Sequence, residues 1–156
     1  MKRTFVIAAM LCLLVANEVT AEFFLAIFVG NMTFADASAL SFGSVHLDSF
    51  IKSSAVRAIP YAIFVISLFY LKTRSKADRG FLWIMLGLIS TSLFSAYWGM
   101  QHAFFTDARA SSTGALVLFF APFWTGVFYA VAFIVYSAII HVDLPQSSKN
   151  KNHENN

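Results

Sequence analysis

The sequence predicts an all-α integral membrane protein: a bundle of four transmembrane helices, or three if the N-terminal segment is a cleaved signal peptide. Three observations carry this expectation. Apolar residues make up 58% of the 156-residue chain and charged residues 12%, against roughly 45–50% and 25% in soluble domains. The apolar residues collect into four stretches, about 5–29, 55–71, 81–105 and 114–140. None alternates with the period of a barrel strand, and helices are the other way to cross lipid with every backbone group paired. Finally, when the chain is threaded alternately, eight of the eleven basic residues fall on one side: Lys2, Arg3, Lys72, Arg74, Lys76, Arg79, Lys149 and Lys151. Only Lys52, Arg57 and Arg109 fall on the other. This asymmetry places the basic face in the cytoplasm.

A span needs roughly 20 apolar residues to cross a hydrocarbon core of about 30 Å. The first stretch begins after Lys2 and Arg3. Its apolar run to Ala16, followed by Asn17, Glu18, Val19, Thr20 and Ala21, has the form of a signal peptide cleaved before Glu22. Apolar residues resume at once from Phe23 to Val29, which fits a retained span instead. Both readings leave the rest of the threading unchanged.

Residues 31–53 form an external loop. Leu40, Leu47, Phe50 and Ile51 recur near helical spacing, and Asp48 and Lys52 stand four apart. This pattern predicts a short amphipathic helix on the outer membrane surface, with an irregular loop as the alternative. The second span reaches full length if counted from Ser54, with Arg57 snorkelling outward and Pro60 in the first turn, where a missing N–H costs little. The third carries Trp83, Tyr97 and Trp98 as interfacial anchors. Residues 106–113 form a short connection, so the third and fourth spans are expected to be antiparallel neighbours. Pro122 predicts a kink in the fourth. Residues 1–146 read as a single membrane domain. Residues 147–156 are too polar to join a core and read as a disordered cytoplasmic tail.

Glu18 and Glu22 are the residues most demanding of explanation. In a retained span they lie one turn apart inside the membrane, where an ionisable group costs about 2.5–3.5 kcal/mol on insertion scales and faces a bundle interior or a wet cavity. Threading places Arg57 and His102 slightly above them. Glu18, Glu22, Arg57 and His102 therefore form a candidate intramembrane polar site, with Glu22 expected to pair with Arg57 and Glu18 expected to bond to hydroxyls. Gly87, Thr91, Ser95 and Gly99 follow each other at i+4 in the third span. Small residues at this spacing let helix backbones approach closely in lipid, so these four are the candidate helix-packing residues. Gly126, Ala130 and Ala138 offer a partly small counter-face in the fourth span.

No catalytic residue, cofactor site or metal site is expected. His102 and His141 lie at opposite ends of their spans and His153 in the tail; His46 and His102 share the outer side with Asp36, Asp48 and Asp107, but in no ligand spacing that resembles a known metal-site class. The phosphate-binding, nucleophile-elbow and zinc-protease motifs are absent from the sequence. Cys12 is the single cysteine, so no intramolecular disulfide forms. The net charge of +3 reflects residues flanking spans and points to anionic lipid, not nucleic acid.

Arg57-Ala58-Ile59-Pro60-Tyr61 enters the second span and Lys72-Thr73-Arg74 leaves it. With both termini cytoplasmic and a basic hairpin between the second and third spans, this layout resembles the four-span immunity proteins that protect bacteria from pore-forming colicins. The likeness is confined to the second span and its basic hairpin. It implies capture of a toxin's pore-forming segment within the bilayer. The expected function is accordingly non-enzymatic: a small multi-pass protein of the cell membrane, read as a bacterial inner membrane, that binds another membrane protein or a membrane-inserted segment. A homo-oligomer is a further expected assembly. The alternative is a small transporter or channel subunit using Glu18 and Glu22.

Overall fold

The computed structural model describes residues 2–43, 45, 47–71, 76–106 and 116–150, with side chains except those of residues 76 and 141–150. These residues form six helices and no strand: α1 (Lys2–Val15), α2 (Glu18–Phe28), α3 (Phe34–Gly43), α4 (Leu47–Tyr70), α5 (Lys76–Thr106) and α6 (Val117–Asn150). Three segments are each long and apolar enough to cross a membrane: Leu47–Tyr70, Ala77–Thr106 and Val117–Ile140. The pair α1 and α2 meets the same test as one broken span, bent by 57°.

The break falls at Asn17. Its backbone is extended, and its side-chain oxygen accepts a hydrogen bond from the Thr20 N–H at 2.8 Å. Its amide donates to the Leu14 carbonyl at 2.6 Å. One side chain thus caps the start of α2 and satisfies a free carbonyl at the end of α1, which lets a bend exist without stranding backbone polar groups. At the other end of α2, Asn31 adopts a left-handed conformation (φ 48°) and the Met32 N–H returns to the Ala26 carbonyl at 3.0 Å. Gly30 has to be glycine here: a Cβ would lie 2.7 Å from the Phe105 ring and 2.8 Å from the Ala26 carbonyl oxygen. Thr33 then caps α3: its hydroxyl accepts from the Asp36 N–H at 3.2 Å and donates to the Asp36 carboxylate at 2.7 Å.

Helices α4 and α6 form the most extensive contact. They cross where Gly126 lies against Pro60, so that a Cβ at Gly126 would stand 3.4 Å from Ile63 and 3.8 Å from the Pro60 Cα. A hydrogen bond between Ser67 and Tyr129 ties the same two helices nearer the basic end. Helix α5 runs antiparallel to α6: Tyr136 stacks on Phe81 with centroids 3.9 Å apart and donates to Asp78 at 3.0 Å. It buries one stripe at helical spacing, Leu82, Leu86, Ile89, Leu93, Tyr97 and Met100. Helix α1 packs on α4, with Phe5 against Phe64 and Trp83. Helix α2 packs on α5, and α3 on α2.

Several expectations need correction. Pro60 is not in a first turn but in the interior of α4, because the helix starts at Leu47. Asp48 stands in its first turn, where a negative charge favours helix formation, so the helix extends outward from the span and absorbs Leu47, Phe50 and Ile51. Only Leu40 of the predicted surface helix remains in the separate helix α3. Helix α6 runs on through residues 147–150, the first part of the segment read as a polar tail. Pro122 is buried inside α6, which is continuous from Val117. Residues 151–156 and most of the 106–113 connection lie outside the described residues.

Candidate functional site

The break at Asn17 sets the position of Glu18. As the first residue of α2, Glu18 sits at the positive end of that helix and points across to α4. There the Arg57 Nη1–H donates to Glu18 Oε2 in a close ion pair. The Ser53 hydroxyl donates to Glu18 Oε1 at 2.5 Å, and Arg57 Nη2–H donates to the Ser54 hydroxyl at 2.5 Å. Ser53, Ser54 and Arg57 share one face of α4 at the i, i+3 and i+4 spacings of a helix.

Arg57 is 1% exposed and Glu18 14%. Ten residues into α4, Arg57 lies roughly 15 Å along the helix from its start. Its guanidinium packs against aromatic rings, with Cζ 5.2 Å from the Phe50 centroid and 5.9 Å from that of Tyr97. Cation–π attraction strengthens when the cation is desolvated. Two polar atoms of this centre, Arg57 Nε and the Tyr97 hydroxyl, are buried without a hydrogen-bond partner. A second polar contact lies deeper, where the Tyr61 and Ser90 hydroxyls meet at 3.2 Å.

The structure therefore brings together two of the four residues of the expected polar site and separates the others. Arg57 pairs with Glu18, not with Glu22 as the threading implied. The threading treated residues 5–29 as a straight rod, whereas α1 and α2 meet at a 57° bend. Glu18 does find a hydroxyl, from Ser53. Glu22 instead lines a small cleft of about 110 Å³ with Leu25, Gln101, Phe104 and Phe105. His102 is exposed near the end of α5, where its carbonyl accepts from the Thr106 hydroxyl. Ser53, Ser54, Phe50 and Tyr97 were not anticipated as site residues. The i+4 spacing of Ser53 and Arg57 was the available signal.

The expected helix-packing residues face outward. Gly87, Thr91, Ser95 and Gly99 are all exposed, and a Cβ at Gly87 or Gly99 would meet nothing within 4 Å. The close helix approach inside the bundle belongs to Gly126. Beside the small-residue face, α5 and α6 enclose an apolar groove of about 470 Å³. Ser92, Ala96, Ala121 and Ala132 keep it open between the larger Leu88, Trp124 and Phe128. Among the described residues, no three His, Cys, Asp or Glu side chains group closely enough to hold a metal ion.

No protein-family model, curated protein or solved structure matches this chain.

Proposed function

We propose that this protein works inside the membrane as a non-enzymatic binding protein, engaging a helix of another membrane protein or a membrane-inserted segment through the outer face of α5 and α6. The observation that supports this most is the exposed line Gly87, Thr91, Ser95 and Gly99, with open space above both glycines. Lipid tails fill such a face poorly, whereas a second helix gains close backbone contact there. The adjoining groove lined by Ser92 and Ala96 widens the same surface. Arg57 is consistent with the reading from the other side: it occupies the carboxylate of Glu18, the group a transport pathway would need free.

In this reading the broken span formed by α1 and α2 is retained in the working protein. Removing residues 1–21 would strip Arg57 of its partner and leave a buried unpaired charge, which is strongly destabilising. The basic hairpin between α4 and α5 and the C-terminus face the cytoplasm. Reporter fusions after Gly43 and after Gly80 test this orientation. Gly80 should report the cytoplasm and Gly43 the opposite side; a cytoplasmic signal at Gly43 would overturn the threading.

The binding reading is tested by photo-crosslinking in membranes, with a photoreactive residue replacing Trp124 in the groove or Ile7 on the exposed face of α1. A discrete protein adduct from position 124, absent from position 7, is expected. Adducts to lipid alone from both positions would contradict the reading. The competing reading, a small transporter or channel subunit using Glu18 and Glu22, draws support from the unpartnered Arg57 Nε and Tyr97 hydroxyl, since buried polar groups of this kind accommodate water.

A further inference from the structure

We propose that the cleft between α2 and α5 is a binding site for a primary ammonium group, carried by a lipid headgroup or by a small free amine. This site is separate from the outer face of α5 and α6 and from the Glu18–Arg57 pair.

Two helix faces build it. Glu22 and Leu25 stand three apart on α2, and Gln101, Phe104 and Phe105 stand at i, i+3 and i+4 on α5, the spacings that put side chains on one face. These five residues line a cleft of about 110 Å³, room for more than one water, whose share of liquid volume is about 30 Å³. Leu25 is fully buried, whereas Phe104 and Phe105 are exposed at their edges, so the cleft is closed on the leucine side and open on the phenylalanine side. The end of α2 holds one wall in place: the Phe105 ring packs on Gly30, where a Cβ would stand 2.7 Å from Phe105 Cζ.

The chemistry of the lining selects the ligand. Glu22 and Gln101 are half-buried, and among the described residues neither side chain has a hydrogen-bond or ion-pair partner. Arg57 is taken by Glu18, and the last turn of α5 contains no Lys or Arg. A carboxylate and a carboxamide oxygen accept hydrogen bonds, and a primary ammonium brings three donors and no acceptor. Bonds of this charge-assisted kind are the stronger ones. The two phenylalanine rings add π faces that attract a cation within about 6 Å of a centroid. A quaternary ammonium has the charge for the rings but no N–H for Glu22 and Gln101. A metal ion such as calcium takes about six to eight oxygen ligands, and this cleft offers one carboxylate and one amide.

Lipid is a source within reach. The segment Ala77–Thr106 has 30 residues, about 45 Å of helix, against a hydrocarbon core of about 30 Å. Its terminal turns therefore extend to the level of headgroups, and Gln101, Phe104 and Phe105 lie in the last six residues.

The test uses the full chain in maltoside micelles, which carry no amine. Native mass spectrometry compares retention of dioleoyl phosphatidylethanolamine and dioleoyl phosphatidylcholine, which differ only in methylation of the ammonium. Saturation-transfer NMR compares free ethanolamine with choline. The primary ammonium should be preferred by about tenfold, the scale of one charge-assisted hydrogen bond. The preference appears in the lipid experiment if the source is a headgroup, and in the amine experiment if it is free. Glu22→Gln should abolish it, in protein whose thermal melt matches the native chain. Gln101→Leu and Phe105→Leu should weaken it severalfold, and they carry the test if Glu22→Gln does not fold. No preference in either experiment would overturn the proposal, leaving the carboxylate to solvent or to a cation of the chain itself. So would a preference that all the folded variants retain, which would place the ammonium elsewhere on the protein.

Discussion

Arg57 shows how a single charged side chain is tolerated in a span. Its two Nη groups are bonded to Glu18 and Ser54, and its plane packs between Phe50 and Tyr97. Removing one member of a buried pair strands the other, at a cost of about 3–5 kcal/mol, whereas removing both relieves that penalty. Glu18→Gln and Arg57→Gln should each destabilise the protein by that order, and the double variant by clearly less than their sum. Equilibrium unfolding in mixed micelles measures all three. Strict additivity would contradict the pairing. A matched change at Glu22 should show no such coupling to Arg57. That ionisable groups within apolar helices need a partner was legible from residue type and position along the stretches. Which glutamate pairs was not, because depth was counted at 1.5 Å per residue along a helix that turns out to be broken. Asn17 is a good N-cap residue, but its flanks are apolar enough to read as continuous span. Thr33 was a readable N-cap hidden in a segment taken for a loop.

At the scale of the helix, the glycines divide into two kinds. Gly126 faces Pro60 and Ile63 across the α4–α6 crossing, so Gly126→Leu drives a large side chain into a contact with no space. Such overpacking costs about 1–3 kcal/mol. Gly87→Leu and Gly99→Leu meet only open space and should leave the isolated fold within about 0.5 kcal/mol, while weakening crosslinking to a partner at the groove. Thermal denaturation of the three variants, followed by the crosslinking assay, separates the two kinds. Loss of the fold at all three would deny α5 a free face. Ser90, off the small-residue line, is not neutral either: its hydroxyl meets Tyr61, so it cannot serve as a silent control. The i+4 stripe on α5 was legible, but its direction was not. In a soluble protein an apolar stripe points inward; in lipid both sides of a helix are apolar, and hydropathy no longer distinguishes a bundle-facing from a lipid-facing line.

For the whole molecule, length, composition and periodicity were enough to anticipate an all-helical chain with several membrane-length segments. The six-helix layout departs from that where polar residues act locally: at Asn17, which divides the first span, and at Asp48, which helps extend α4 outward. The central claim is that the polar centre closes the bundle and is not a path through it, since the carboxylate of Glu18 is occupied by Arg57 and Glu22 lies apart in its own cleft. The most direct measurement is proton and monovalent-cation flux in liposomes reconstituted with the purified protein alone. The account predicts flux indistinguishable from empty liposomes, in the native protein and in Glu22→Gln alike. Flux well above that of empty liposomes, abolished by Glu18→Gln while the protein remains folded, would contradict it and make the carboxylate a working part of a transport pathway.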